Sequence, residues 1–109
     1  MDEETEQEQI EQELFVEINN LIFRKPFALI MLSLLESPKT KTDIYKETYI
    51  TYSHLHKVMD ILQNIGLIEF KRNGREVVVS LTEPGKEVAK HLKDVVDIMR
   101  KLPTSKGMK

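Results

Sequence analysis

Residues 43–92 read DIYKETYITYSHLHKVMDILQNIGLIEFKRNGREVVVSLTEPGKEVAKHL, and the order of signals in this run decides the fold. A short helix is expected from Thr42 to about Thr48, with the Thr42 hydroxyl capping free backbone N–H groups and Asp43 at its positive end. A second helix begins after Thr51 and carries Leu55, Val58, Met59, Leu62 and Ile65 on one face. Gly66 follows, where a left-handed C-cap needs no Cβ. Two strands come next, Leu67 to Arg72 and Glu76 to Leu81, with Asn73-Gly74 between them. Asn-Gly is the strongest short hairpin signal, because a type I′ turn requires positive φ at both central residues. Thr82 then caps a last helix with Glu83 and Pro84 in its first turn. Along it Val88, Leu92, Val95, Met99 and Leu102 alternate in spacing between four and three, an a/d heptad seam that ends at Leu102-Pro103.

Upstream of this run, Phe27 to Glu36 is apolar on nearly all sides and reads as the buried central helix. Pro26 marks its first turn or a break before it, and Ser37-Pro38 stops it. Ile10, Leu14, Ile18, Leu21 and Ile22 form a narrow stripe at helical period on a first helix. The organisation expected is therefore an acidic helix start over residues 1–20, one domain over 21–102, and a polar, disordered tail over 103–109. The fold class is α+β and mostly helical.

Composition narrows the class. A chain of 109 residues argues for one domain, and 34 of them are Leu, Ile, Val or Phe, too many for a disordered protein. The longest apolar stretch, Phe27 to Leu35, is far short of a membrane span, and the acidic N-terminus is unlike a signal peptide. With no Cys there is no disulfide framework, thiolate metal site or Cys nucleophile. The expectation is a cytoplasmic protein with no membrane contact. The net charge of −2 hides an asymmetry. Residues 1–20 hold eight acidic and no basic side chains, which leaves the other 89 residues at +6. An acidic head on a basic body suits a polyanionic partner, although the head by itself reads as the solvated start of a helix.

Helix, helix, short helix, helix, hairpin, long helix is the order, and residues 42–48 and 52–65 have the proportions of a helix-turn-helix. The run quoted above resembles the winged helix-turn-helix regulators of the MarR and ArsR type found in archaea and bacteria. The resemblance rests on ITYSHLHKVMDIL (50–62), on NIGLIEF (64–70) closing that helix into the first strand, and on VVVSLTEPGKEVA (77–89) entering the last helix. With Phe27 to Glu36 it covers about residues 20–100. It implies binding of double-stranded DNA, with the helix after Thr51 in the major groove and the hairpin, or wing, on the minor groove or backbone. Carried onto this chain, it makes Thr51, Tyr52, Ser53, His54, His56 and Lys57 the groove-facing start of the recognition helix. These polar residues also lie away from the Leu55, Val58, Met59, Leu62 stripe, and their hydroxyls, imidazoles and ammonium suit base edges or phosphate oxygens. Lys71, Arg72, Asn73 and Arg75 form the wing, with Arg75 the best match to the family's wing arginine. The wing is shorter than is usual in MarR proteins, so backbone contact is expected rather than deep insertion. Lys39, Thr40, Lys41 and Thr42 can hold phosphate at the start of the short helix. Two positions depart from the family pattern. Tyr49 stands where a turn Gly is common, and Ile61 stands where a polar residue usually faces out, either covered by the first helix or marking a protein contact.

The first and last helices carry more apolar surface than so small a core needs. Ile10, Leu14 and Ile18 on one, with Val88, Leu92, Val95, Met99 and Leu102 on the other, are the expected interface of a homodimer that presents two recognition helices to one face of DNA. Enzyme chemistry is not expected. His54, His56 and His91 have no metal-ligand spacing, there is no glycine-rich phosphate loop, and no cofactor is implied. No residue argues for or against a small-molecule effector. The reading is a homodimeric DNA-binding transcriptional regulator. The alternative, from another class, is a protein-interaction module of transcription or replication machinery that uses Tyr49, Ile61 or the hairpin.

Overall fold

In the computed structural model, which describes residues 3–103, the chain runs α1 (Glu3–Ile22), α2 (Lys25–Glu36), β1 (Lys39–Thr40), α3 (Lys41–Thr48), α4 (Tyr52–Asn64), β2 (Ile68–Asn73), β3 (Glu76–Leu81) and α5 (Glu83–Lys101). The readings of Met1 and Asp2 and of the tail from Thr104 lie outside the described residues. Prolines bound α2: Pro26 occupies its first turn, and Ser37, extended at φ −171° and ψ 158°, precedes Pro38. Between them Phe27, Ile30, Met31 and Leu34 are buried at the centre of the molecule. Ile44 of α3, Leu55, Val58, Met59 and Leu62 of α4, Ile68, Val79 and Leu81 of the sheet, and Ala89 of α5 complete one core around α2. Burying each large apolar side chain here contributes about 1.5–3 kcal/mol.

The sheet has the order β1-β3-β2, antiparallel throughout, with Lys39 opposite Val79 and Asn73 opposite Glu76. That last pair relocates the hairpin turn. Its central residues are Gly74 and Arg75, not Asn73 and Gly74, and among them Gly74 alone has positive φ, at 66°. Glycine at the first central position is the pattern of a type II′ turn, which also matches the strand twist. The consequence is that Arg75 stands at the tip and Asn73 in a strand.

Local chemistry also moves one cap. The side chain accepting at the start of α3 is Thr40, whose Oγ1 takes the Asp43 N–H at 3.1 Å, not Thr42, which lies inside the first turn. Thr40 has the extended conformation a cap requires (φ −74°, ψ 160°) because β1 delivers it to the helix as a strand residue. Thr82 does cap α5, accepting the Gly85 N–H at 3.1 Å, and Gly66 is left-handed at φ 88°. Ile65, expected on the buried face of α4, follows the last helical residue and stays largely in water. Lys39 belongs to the scaffold rather than to a phosphate site. Its ammonium bonds Glu47 at 2.9 Å, Ser33 at 3.0 Å and Glu36 at 3.2 Å, which ties β1 to α2 and α3. Burial draws the Lys39 pKa down, but the bonds and charges of Glu47 and Glu36 outweigh it and hold it above the usual lysine value. The Ser33 hydroxyl and then Lys39 hold the Glu47 carboxyl below its usual range.

Candidate nucleic-acid interface

Three elements converge on one side of the sheet. The start of α3 supplies Thr40, Lys41 and Thr42, the first turn of α4 supplies Tyr52, and the hairpin tip supplies Arg75. Together they line a groove of about 480 Å³. Residues separated by up to 35 positions thus meet because β1 pairs with β3, which carries the hairpin tip beside the start of α3. Asp43 and Glu76 line the same groove, and sequence reasoning did not place them there.

The other predicted contacts do not line the groove. Thr51 is the N-cap residue of α4, at φ −56° and ψ 143°, and its hydroxyl makes no capping bond. Ser53, His54 and Lys57 are exposed on α4, and Lys71, Arg72 and Asn73 on the hairpin. Among the described residues Lys57, Arg72 and Arg75 form no ion pair, whereas Lys71 meets Glu69 at 3.5 Å and the Lys41 ammonium sits 4.6 Å from the Phe70 ring centroid. The Lys41 ammonium therefore braces α3 against the sheet through a cation–π contact while the residue also lines the groove. His56 is half-buried and stacks edge-on against Tyr52 at 4.5 Å, and Tyr52 meets Tyr45 at 5.5 Å in the same manner. Sequence reasoning misses Tyr45, since nothing in the spacing of two separate helices shows that their rings meet. These contacts fix the direction of the first turn of α4, and with it the presentation of Ser53 and Lys57.

The terminal helices leave apolar surface in water. Ile10, Leu14, Ile18, Val95, Met99 and Leu102 are exposed, while Val88 and Leu92 pack half-buried against the chain's own core. Ile98 extends the exposed stripe of α5, and Phe15, Val16 and Phe23 that of α1 and its end. Between α1, α2 and α4 lies an apolar cavity of about 340 Å³, lined among others by Leu14, Ile18, Leu21, Phe27, Val58 and Ile61. Ile61 faces this cavity together with Leu14 and Ile18 of α1 and is 45% exposed. Among the described residues no three His, Asp or Glu side chains gather as a metal site, and no single helix is long and apolar enough to cross a membrane.

A helix pair whose second member abuts a basic hairpin, closed by a long helix, defines a winged helix-turn-helix protein, and the chain belongs to that family, whose pattern matches residues 27–100. The α1 helix lies before the matched region. The fold is similar to that of the transcriptional repressor BigR from Xylella fastidiosa, with a TM-score of 0.69 over 91% of this chain and 99% of that one at 15% identity. It is similar also to the adhesin competence repressor AdcR from Streptococcus pyogenes (TM-score 0.68, 18% identity, 89% of this chain and 75% of that one). A MarR family transcriptional regulator from Silicibacter pomeroyi DSS-3 matches with a TM-score of 0.68 and 20% identity over 88% of this chain and 71% of that one. No curated protein sequence matches the chain.

Proposed function

We propose that this protein is a homodimeric transcriptional regulator of the cytoplasm that binds double-stranded DNA, with α4 in the major groove and the hairpin tip on the adjacent backbone or minor groove. The observation that carries this reading is the groove formed by the starts of α3 and α4 and by Arg75; Lys57 on α4 and Arg72 on the hairpin are exposed and, among the described residues, form no ion pair. Polar groups at the first turn of α4 are placed to read base edges, and the flanking cations and the start of α3 position the duplex through its phosphates. The regulators and repressors that share the fold support the same role. Pairing of the exposed stripes on α1 and α5 with those of a second copy sets two α4 helices on one face of the duplex, about one helical turn apart.

The test is fluorescence anisotropy of a labelled random-sequence duplex titrated with the protein at about 50 and 200 mM salt. Micromolar-range binding that collapses at the higher salt is the expected outcome. Absence of binding at both, with the protein folded, overturns the reading in favour of a protein-interaction module.

A further inference from the structure

We infer that Tyr49 is a contact to the DNA sugar–phosphate backbone, made by an uncharged side chain that the fold itself does not need; the inference rests on the duplex-binding reading above. Three observations meet at this residue. It is the single non-glycine residue with positive φ among the described residues, at φ 57° and ψ 22°, in the turn between α3 and α4. Its side chain is 91% exposed and makes no hydrogen bond or ring contact within the described chain. And the chain's three tyrosines, in a sequence without Trp, fall at 45, 49 and 52, all at this helix pair. Tyr45 and Tyr52 spend their rings on each other and on His56, whereas Tyr49 spends its ring on nothing.

A left-handed conformation penalises a residue with a Cβ, and glycine or asparagine fits it better. Burial can offset that penalty, but a ring in water returns almost none of it. The Tyr49 N–H closes α3 on the Tyr45 carbonyl at 3.2 Å, a bond any residue type could make, so the choice of an exposed tyrosine at a left-handed cap points to a partner outside the chain. The place identifies that partner. Tyr49 lies two residues before Thr51, the N-cap of α4, and a duplex seated on the first turn of α4 carries its backbone past this turn. There the phenol donates to a phosphate oxygen and the ring lies against deoxyribose, contacts that ignore sequence.

An uncharged contact has a signature that separates it from Arg75 or Lys57. Removing it weakens binding equally at every salt concentration and leaves the salt slope unchanged, because counterion release is the same with and without it. Tyr49→Asn is the variant of choice, since Asn tolerates the left-handed turn. The expected result on the labelled random duplex is affinity lower by about fivefold, the value of one net hydrogen bond. The slope stays as in the wild type, and Tm stays level or rises by a few degrees. Fluorotyrosine labelling gives three ¹⁹F signals, assigned by single Phe substitutions, and that of Tyr49 is expected to shift on duplex addition. Unchanged affinity in Tyr49→Asn, a static Tyr49 signal, or a lowered Tm that accounts for the weaker binding each overturns the inference while leaving duplex binding intact. A wild type that does not bind the duplex overturns both.

Discussion

Gly85 shows how much one missing Cβ decides. It sits buried in the first turn of α5, and a Cβ built on it would lie 1.9 Å from the carbonyl oxygen of Leu67, the residue that leads into β2. The same oxygen accepts the Thr82 N–H at 3.1 Å, so it cannot retreat without losing the bond that joins the two chain segments. Gly85→Ala is expected to cost roughly 2 kcal/mol or more by overpacking, read as a Tm lower by about 10 °C in thermal unfolding. A Tm within a degree or two of wild type would show that α5 can slide away from β2. Tyr49 is the converse case. There the left-handed turn would favour glycine, a strain of roughly 1 kcal/mol is retained, and the proposed phosphate contact gives the reason outside the chain. The sequence alone shows that Tyr49 is unusual for a turn, but not that Gly85 is indispensable, because the Leu67 oxygen reaches it through the tertiary fold.

At the scale of the element, the proposed interface includes the hairpin. Arg72 stands near the end of β2 and Arg75 in the turn, exposed and without ion-pair partners among the described residues, whereas Lys71 is held by Glu69. Replacing both arginines by alanine is expected to weaken duplex binding and to flatten the dependence of log K on log salt by up to about two units, one for each phosphate that an arginine neutralises. Unchanged affinity and slope in the double variant would remove the hairpin from the interface. Existence of the hairpin was legible from Asn73-Gly74 between two β-rich runs, but its register was not. Pairing of Asn73 with Glu76 makes Gly74 and Arg75 the turn, and this choice belongs to the cross-strand pairs and not to the dipeptide. Strand β1 was invisible for a related reason. Two residues carry no period, and the partner that makes Lys39 and Thr40 a strand lies 38 to 40 positions away.

The whole molecule is wider than its core requires. Its radius of gyration of 16.8 Å exceeds the roughly 13 Å of a compact chain of this length, and its extents are 50 × 49 × 25 Å. The excess reflects α1, which turns about 70° away from α2 and keeps most of its apolar stripe in water, as does the second half of α5. Ile10 and Met99 are both more than half exposed in the single chain and line no cavity with the core, so charge at these positions leaves the core untouched. Ile10→Glu combined with Met99→Glu is expected to keep the Tm of the winged domain, to sediment as a monomer against the dimer expected of the wild type, and to bind the duplex more weakly. A wild type that is monomeric at micromolar concentration would overturn the homodimer.

The sequence by itself determined the elements whose causes are local. Prolines bound α2, the Thr82 hydroxyl starts α5, a left-handed glycine follows the end of α4, an apolar run on nearly all sides buries α2, and apolar spacings of three and four set the buried face of α4. It also supplied the polar first turn of α4 and the arginines of the hairpin, the groups on which the proposed duplex contact rests. What only the tertiary structure decided is which of these groups meet. Lys39 is withdrawn into ion pairs with Glu36 and Glu47, Val88 and Leu92 are taken into the core, and Arg75, Lys41 and Tyr52 share one groove. Each of those outcomes depends on contacts between residues far apart along the chain. No local propensity encodes such contacts, because their energy exists only once the sheet and helices have closed around α2.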